Sequence, residues 1–118
     1  MGKPLLIENF IAGAAISPYR ICKPGATDGA ALQSAAVGDF SFGVSDELGA
    51  ASGARCDIIT SGVPDVQYGG AVTRGALLTS DANGKAVTAV ATNRTIGIAR
   101  VSGVLDDIGS VQIAPGTV

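Results

Sequence analysis

The 118-residue chain carries few groups able to do chemistry, and their spacing works against it. Seventeen Ser and Thr hydroxyls are present, but none sits in a Gly-x-Ser-x-Gly turn. Histidine is absent, which removes the commonest general base and the commonest transition-metal ligand. The carboxylates Asp46-Glu47 and Asp106-Asp107 are adjacent pairs. Neighbours on a strand point to opposite faces, so neither pair shares a proton, and solvated loops are expected at both. Asp81-Ala82-Asn83-Gly84 matches the start of a calcium loop, but position twelve, which needs a bidentate Glu, is Thr92. A hairpin turn is expected there instead. Gly69-Gly70 lacks the Lys-Ser/Thr ending of a phosphate loop. No catalytic residue, metal site or cofactor is predicted.

Charge and hydropathy exclude further classes. Eight basic against ten acidic residues give a pI near 4.8, and the five Arg stand singly at 20, 55, 74, 94 and 100. No basic stripe exists to neutralise phosphates, so no nucleic-acid partner is predicted. No apolar run approaches the roughly 18 residues of a membrane span, so no membrane partner is predicted. Pro4, Glu8 and Asn9 interrupt the apolar start, and synthesis and use without export are expected. A mean hydropathy of +0.40 with 15% charged residues favours a folded chain over a disordered one.

The elements that would hold these residues read as strands. Val plus Ile number 21 against 7 Leu, and 19 Ala and 17 Gly keep the side chains small. Strands are expected over Ala15–Lys23, Ala30–Ala35, Phe40–Ser45, Ala54–Thr60, Val63–Tyr68, Gly75–Thr79, Lys85–Val90, Thr95–Arg100 and Ser110–Ala114. Strands every 8–12 residues point to a sandwich or small barrel, with at most one or two short helices. Asp46–Gly53 reads as a loop or one short helical turn. Asp28-Gly29 and Asn83-Gly84 reach positive φ cheaply and should close two hairpins.

The hairpins lie 55 residues apart and reveal a weak internal repeat. Ala15-Ile16-Ser17 matches Ala71-Val72-Thr73, and Ile21-Cys22 matches Leu77-Leu78. Asp28–Leu32 matches Asn83–Val87, Phe42–Ser45 matches Ile96–Ala99, and Cys56-Asp57-Ile58 matches Val111-Gln112-Ile113. The expected fold is all-β: one barrel-like domain over 13–118, built from halves of about 13–62 and 63–118 that close together and hide their edges. Cys22 and Cys56 fall on core positions of the repeat; they are small buried hydrophobes or a bridged pair.

Residues 1–12 precede both copies and have no counterpart before the second. Pro4, Leu5, Leu6, Ile7, Phe10 and Ile11 crowd into eight positions, a patch that water would leave prone to aggregation. They are the candidate partner-binding residues, carried on an extended N-terminal arm that adds as a strand to a neighbour. The alternative is that Leu5–Ile11 is the first strand of the domain. Burying five large side chains at roughly 1.5–3 kcal/mol each about offsets fixing eight residues at roughly 1–2 kcal/mol each. One arm is therefore marginal, and several held together bind through effective concentration.

Two resemblances follow from the residues. Lys85 after a hairpin turn resembles the modified Lys of biotinyl and lipoyl carrier domains, although Asn83-Gly84 takes the tip. The ordered series Gly62–Val87, with Gly75-Ala76-Leu77-Leu78-Thr79, Asp81, Gly84 and Ala86-Val87, continues into Arg94-Thr95-Ile96-Gly97-Ile98-Ala99. Over residues 62–114 it resembles the capsid decoration, or cement, proteins of tailed bacteriophages. That resemblance implies an all-β unit without catalytic residues, made in the bacterial host cytoplasm. It implies a homotrimer that binds the major capsid protein on the outer surface of the virion and reinforces the shell. A tail, baseplate or spike-base module of a virion is the alternative.

Overall fold

A computed structural model describes residues 3–37 and 41–117, with side chains from 6 to 116. Its ten strands are β1 (Lys3–Ala12), β2 (Ile21–Pro24), β3 (Ala30–Gln33), β4 (Gly43–Ser45), β5 (Arg55–Val63), β6 (Asp65–Gln67), β7 (Leu77–Ser80), β8 (Ala86–Thr88), β9 (Arg94–Ala99) and β10 (Ile108–Thr117). The described residues contain no helix, and 46–53 is a turn-rich loop. All nine expected strands have a counterpart, although Phe40, at the start of one, lies outside the described residues. Both turn signals close hairpins: Gly29 (φ 79°) joins β2 to β3, and Gly84 (φ 73°) joins β7 to β8.

Several backbone hydrogen bonds of one half recur in the other. Ile16 and Ala50 exchange backbone hydrogen bonds as Val72 and Gly103 do. The N–H of Ala12 donates to Ala54 O as that of Tyr68 donates to Asp107 O, and Gly13 to Ala31 O as Gly69 to Ala86 O. The β4–β5 register pairs Ser45 with Ile58, whereas β9–β10 pairs Ala99 with Val111. Ile58 is thus the equivalent of Val111, and the sequence alignment of Cys56 with Val111 is two residues out. A two-residue slip keeps a strand's inward face inward, so the burial expected of Cys56 survives the error; both cysteines are free and buried.

The halves do not close into one shared barrel. β1-β3-β2-β4-β5 form a closed barrel, and β6-β10-β9-β7-β8 form a separate five-stranded sheet. Each hairpin pairs locally, and the core falls into two clusters, one of first-half residues and one of second-half residues joined by Ile21 and Val44. The first half also takes residues 3–12 as β1, antiparallel to β5 from Lys3↔Val63 to Ile11↔Arg55 and parallel to β3 at Ile11↔Ala30 and Ala12↔Ala31. The segment read as an arm therefore takes its alternative, the first strand, because its far end seals the barrel.

Candidate partner-binding surface

The described pairings of β1 with β3 are confined to Ile11 and Ala12, so the stretch before them runs as one edge of a β1–β5 ribbon. An edge strand carries unpaired backbone groups able to accept another strand. On this ribbon Leu6, Ile7 and Ile11 are 50%, 51% and 40% exposed. The side chains of Pro4 and Leu5 lie outside the described residues. Phe10 behaves differently: it is half-buried and meets Phe42 edge-on, with ring centroids 5.0 Å apart and planes at 78°. Such a pair adds about 0.5–1.5 kcal/mol beyond the burial of its area.

β1 separates two depressions. Ile7 lines one of about 280 Å³ with Tyr19, Asp46, Glu47, Ile59 and Pro64. Phe10 lines another of about 360 Å³ with Phe42 and the 24–30 hairpin. The structure thus divides the four candidate residues whose side chains it describes: Leu6, Ile7 and Ile11 are presented outward, and Phe10 supports the first-half core.

The polar groups singled out for chemistry organise turns. Asp81 Oδ1 accepts from the N–H groups of Asn83 (2.8 Å) and Lys85 (3.0 Å), which makes the stretch a hairpin rather than a calcium loop. Asp46 Oδ1 accepts from Leu48 N–H and Gly49 N–H, and Asp107 Oδ2 from Val104 N–H. Asp106 pairs instead with Lys85 Nζ at 2.6 Å, so the adjacent carboxylates diverge. Lys85 is thereby drawn along the surface, its side chain 17% exposed, and does not project as a carrier lysine would. Burial, with Cys56 nearby, pushes the Cys22 thiol up to about 12, partly opposed by hydrogen bonding to Ser45. Burial, with Asp46 and Asp57, also raises Cys56. Thiols held neutral in this way are poor nucleophiles.

A second apolar surface was missed in the sequence. The loop between β9 and β10 exposes Val101 (42%), Val104 (60%) and Leu105 (60%), and β10 begins with Ile108 at 51%. The turn at Val104–Asp107 repeats the one at Ala51–Ala54, with the same bond between its ends. Comparing the two tips, Val104-Leu105 against Ala51-Ser52, would have marked the apolar one.

A family model described as phage cement protein matches residues 12–104. No curated protein matches the sequence significantly. Among solved structures, the chain is similar to the N base of head fiber gp8.5 in bacteriophage phi29, with a TM-score of 0.74 and 17% identity. That match covers 96% of this chain and 97% of the other, and it establishes a shared fold.

Proposed function

The chain belongs to the phage cement protein family and is a structural protein of the phage virion; from that premise we propose that it binds the outer capsid surface as a homotrimer and reinforces the shell. The partner is the major capsid protein. The observation that carries the reading is the β1–β5 edge, where Leu6 and Ile7 stand half exposed beside backbone that is paired on one side. Strand addition from a capsid subunit satisfies that backbone and covers the side chains. Each contact is weak, and three held on one trimer act together. No bond is made or broken in this function; the chain is made in the host cytoplasm and assembles onto heads.

Co-sedimentation with purified heads tests the reading. Wild-type protein is expected to pellet with heads and saturate at a fixed stoichiometry. The double variant Leu6→Lys/Ile7→Lys is expected to bind at least about 100-fold more weakly, since each apolar side chain contributes roughly 1.5–3 kcal/mol when covered. Wild-type protein left in the supernatant would contradict the reading. Tagged protein seen by electron microscopy on tails or baseplates would replace it with the tail-module alternative.

A further inference from the structure

The seam between the two halves is one-sided. The second-half core contains two residues lent by the first half, Ile21 and Val44, both fully buried. Among the described residues, the first-half core borrows nothing in return. The repeat equivalents of the lent residues are Leu77 and Ile98, which pair with each other as Ile21 and Val44 do. Within the chain they are not covered in the same way: Leu77 is 40% exposed where Ile21 is 0%.

The seat that receives Ile21 also has an empty twin. In the second half, Ile21 shares the core with Val66 and Ile96, and its N–H donates to Gly84 O at 2.7 Å. Gln67 N–H donates to Tyr19 O at 2.9 Å, so residues 19–21 lie wedged between β6 and the β7–β8 hairpin. A Cβ on Gly84 would meet Ile21 O at 3.2 Å. The equivalents of Val66, Ile96 and Gly84 are Phe10, Phe42 and Gly29. They line the depression of about 360 Å³, and a Cβ on Gly29 would meet nothing within 4 Å.

We propose that the Leu77–Ile98 face of one copy docks into the Phe10–Phe42 depression of a second copy, repeating between chains the contact that joins the halves within one. This deepens the self-association part of the function proposed above and names its two surfaces. The contact is head-to-tail, so copies close into a ring or continue as a filament; three copies would close a ring of six repeats. Docking exchanges one hydrogen bond for two. Ile11 N–H now donates to Gly29 O at 2.9 Å, and by the second-half pattern it passes to Gly75 O of the neighbour. Gly29 O then takes the neighbour's Leu77 N–H. The within-chain seam has one extra clip: the Arg20 guanidinium and the Gln33 amide both donate to Asn83 O, at 2.9 and 2.7 Å. Their equivalents are Ala76 and Thr88, so the contact between chains is the weaker and is reversible.

Sedimentation equilibrium of the full chain tests the pairing. Wild-type protein is expected to reach a mass of three or more chains with rising concentration. Leu77→Glu and Ala26→Glu, placed on the two opposed surfaces, are each expected to give the mass of one chain with an unchanged circular dichroism spectrum. Mixed in equal amounts they retain one good copy of each surface, and the expected product has the mass of two chains and no more. Ala76→Arg, which restores the guanidinium half of the missing clip, should lower the association midpoint about tenfold. The proposal is overturned if wild-type protein stays monomeric, if either charged variant keeps the wild-type mass, or if the mixture stays monomeric. Should a charged variant lose its fold, Ala76→Arg decides alone, and an unchanged midpoint then overturns the proposal. Heads are absent from the experiment, so its failure would leave capsid binding standing, and failure to bind heads would leave this pairing standing.

Discussion

Tyr68 shows how single residues keep the two halves alike. It is fully buried, and its hydroxyl donates to Val101 O at 2.7 Å. Its equivalent in the first half is Ala12. The extra ring is accommodated by Gly103 and Gly109, where Cβ atoms would run into it, and their equivalents are Ala50 and Cys56. One half fills the space with a ring and two glycines, the other with three small side chains. Gly109→Ala is expected to cost about 1–3 kcal/mol, as overpacking does. Combined with Tyr68→Phe the cost should be less than the sum of the two, because the clash is with the hydroxyl end; urea melts measure both. The cysteines supply a pH dependence. Folded Cys22 keeps its proton to about pH 12, while an unfolded thiol loses it near 9. The folded state therefore binds more protons across that window. The stability is whole below pH 9 and falls as pH rises toward 12, by up to about 1.4 kcal/mol per unit. Urea midpoints of wild type and Cys22→Val should diverge above pH 9. The core placement of both cysteines was legible from the repeat. Tyr68 was not, since its role depends on two glycines more than thirty residues away.

β1 is the element whose reading the structure revises most. Its crowded apolar residues read as an arm because they precede both copies with no evident counterpart, whereas the structure matches residues 10–12 with 66–68. Residues 6–9 of the ribbon are exposed on both faces, while Ala12 at the strand's far end is 1% exposed and enters the barrel. One strand thus serves two environments, which blurs a period-two pattern. Deleting Gly2–Ile11 should unfold the first half, seen as loss of its cooperative melt, because closure at Ile11↔Ala30 goes with it. Leu6→Lys/Ile7→Lys should leave the melt within about 0.5 kcal/mol, as exposed substitutions do, while weakening attachment to heads. The hairpins were plainly legible, since Asp-Gly and Asn-Gly encode positive φ locally. The β5–β10 match slipped because no turn residue anchors the register between long strands.

At the scale of the molecule, duplication makes one chain from two similar but unequal parts. The joint barrel expected from the sequence requires the halves to exchange strands. Instead the first half closes on itself, and its residues 19–21 prise open the matching seam of the second. Such a wedge leaves no mark on hydrophobic periodicity, so the sequence could not reveal it. Arg20 ties the wedge down, donating to Gln67 Oε1 at 3.1 Å and to Asn83 O at 2.9 Å. Arg20→Ala should cost about 1.5–3 kcal/mol and broaden the unfolding transition as the halves begin to melt separately. A chain of this kind has surfaces to offer to partners, which suits a structural component of a virion. The most direct measurement of that account is DNA release from filled heads on heating, with and without saturating protein. Heads carrying the protein are expected to hold their DNA to a higher temperature than bare heads. Release at the same temperature despite full occupancy would contradict it.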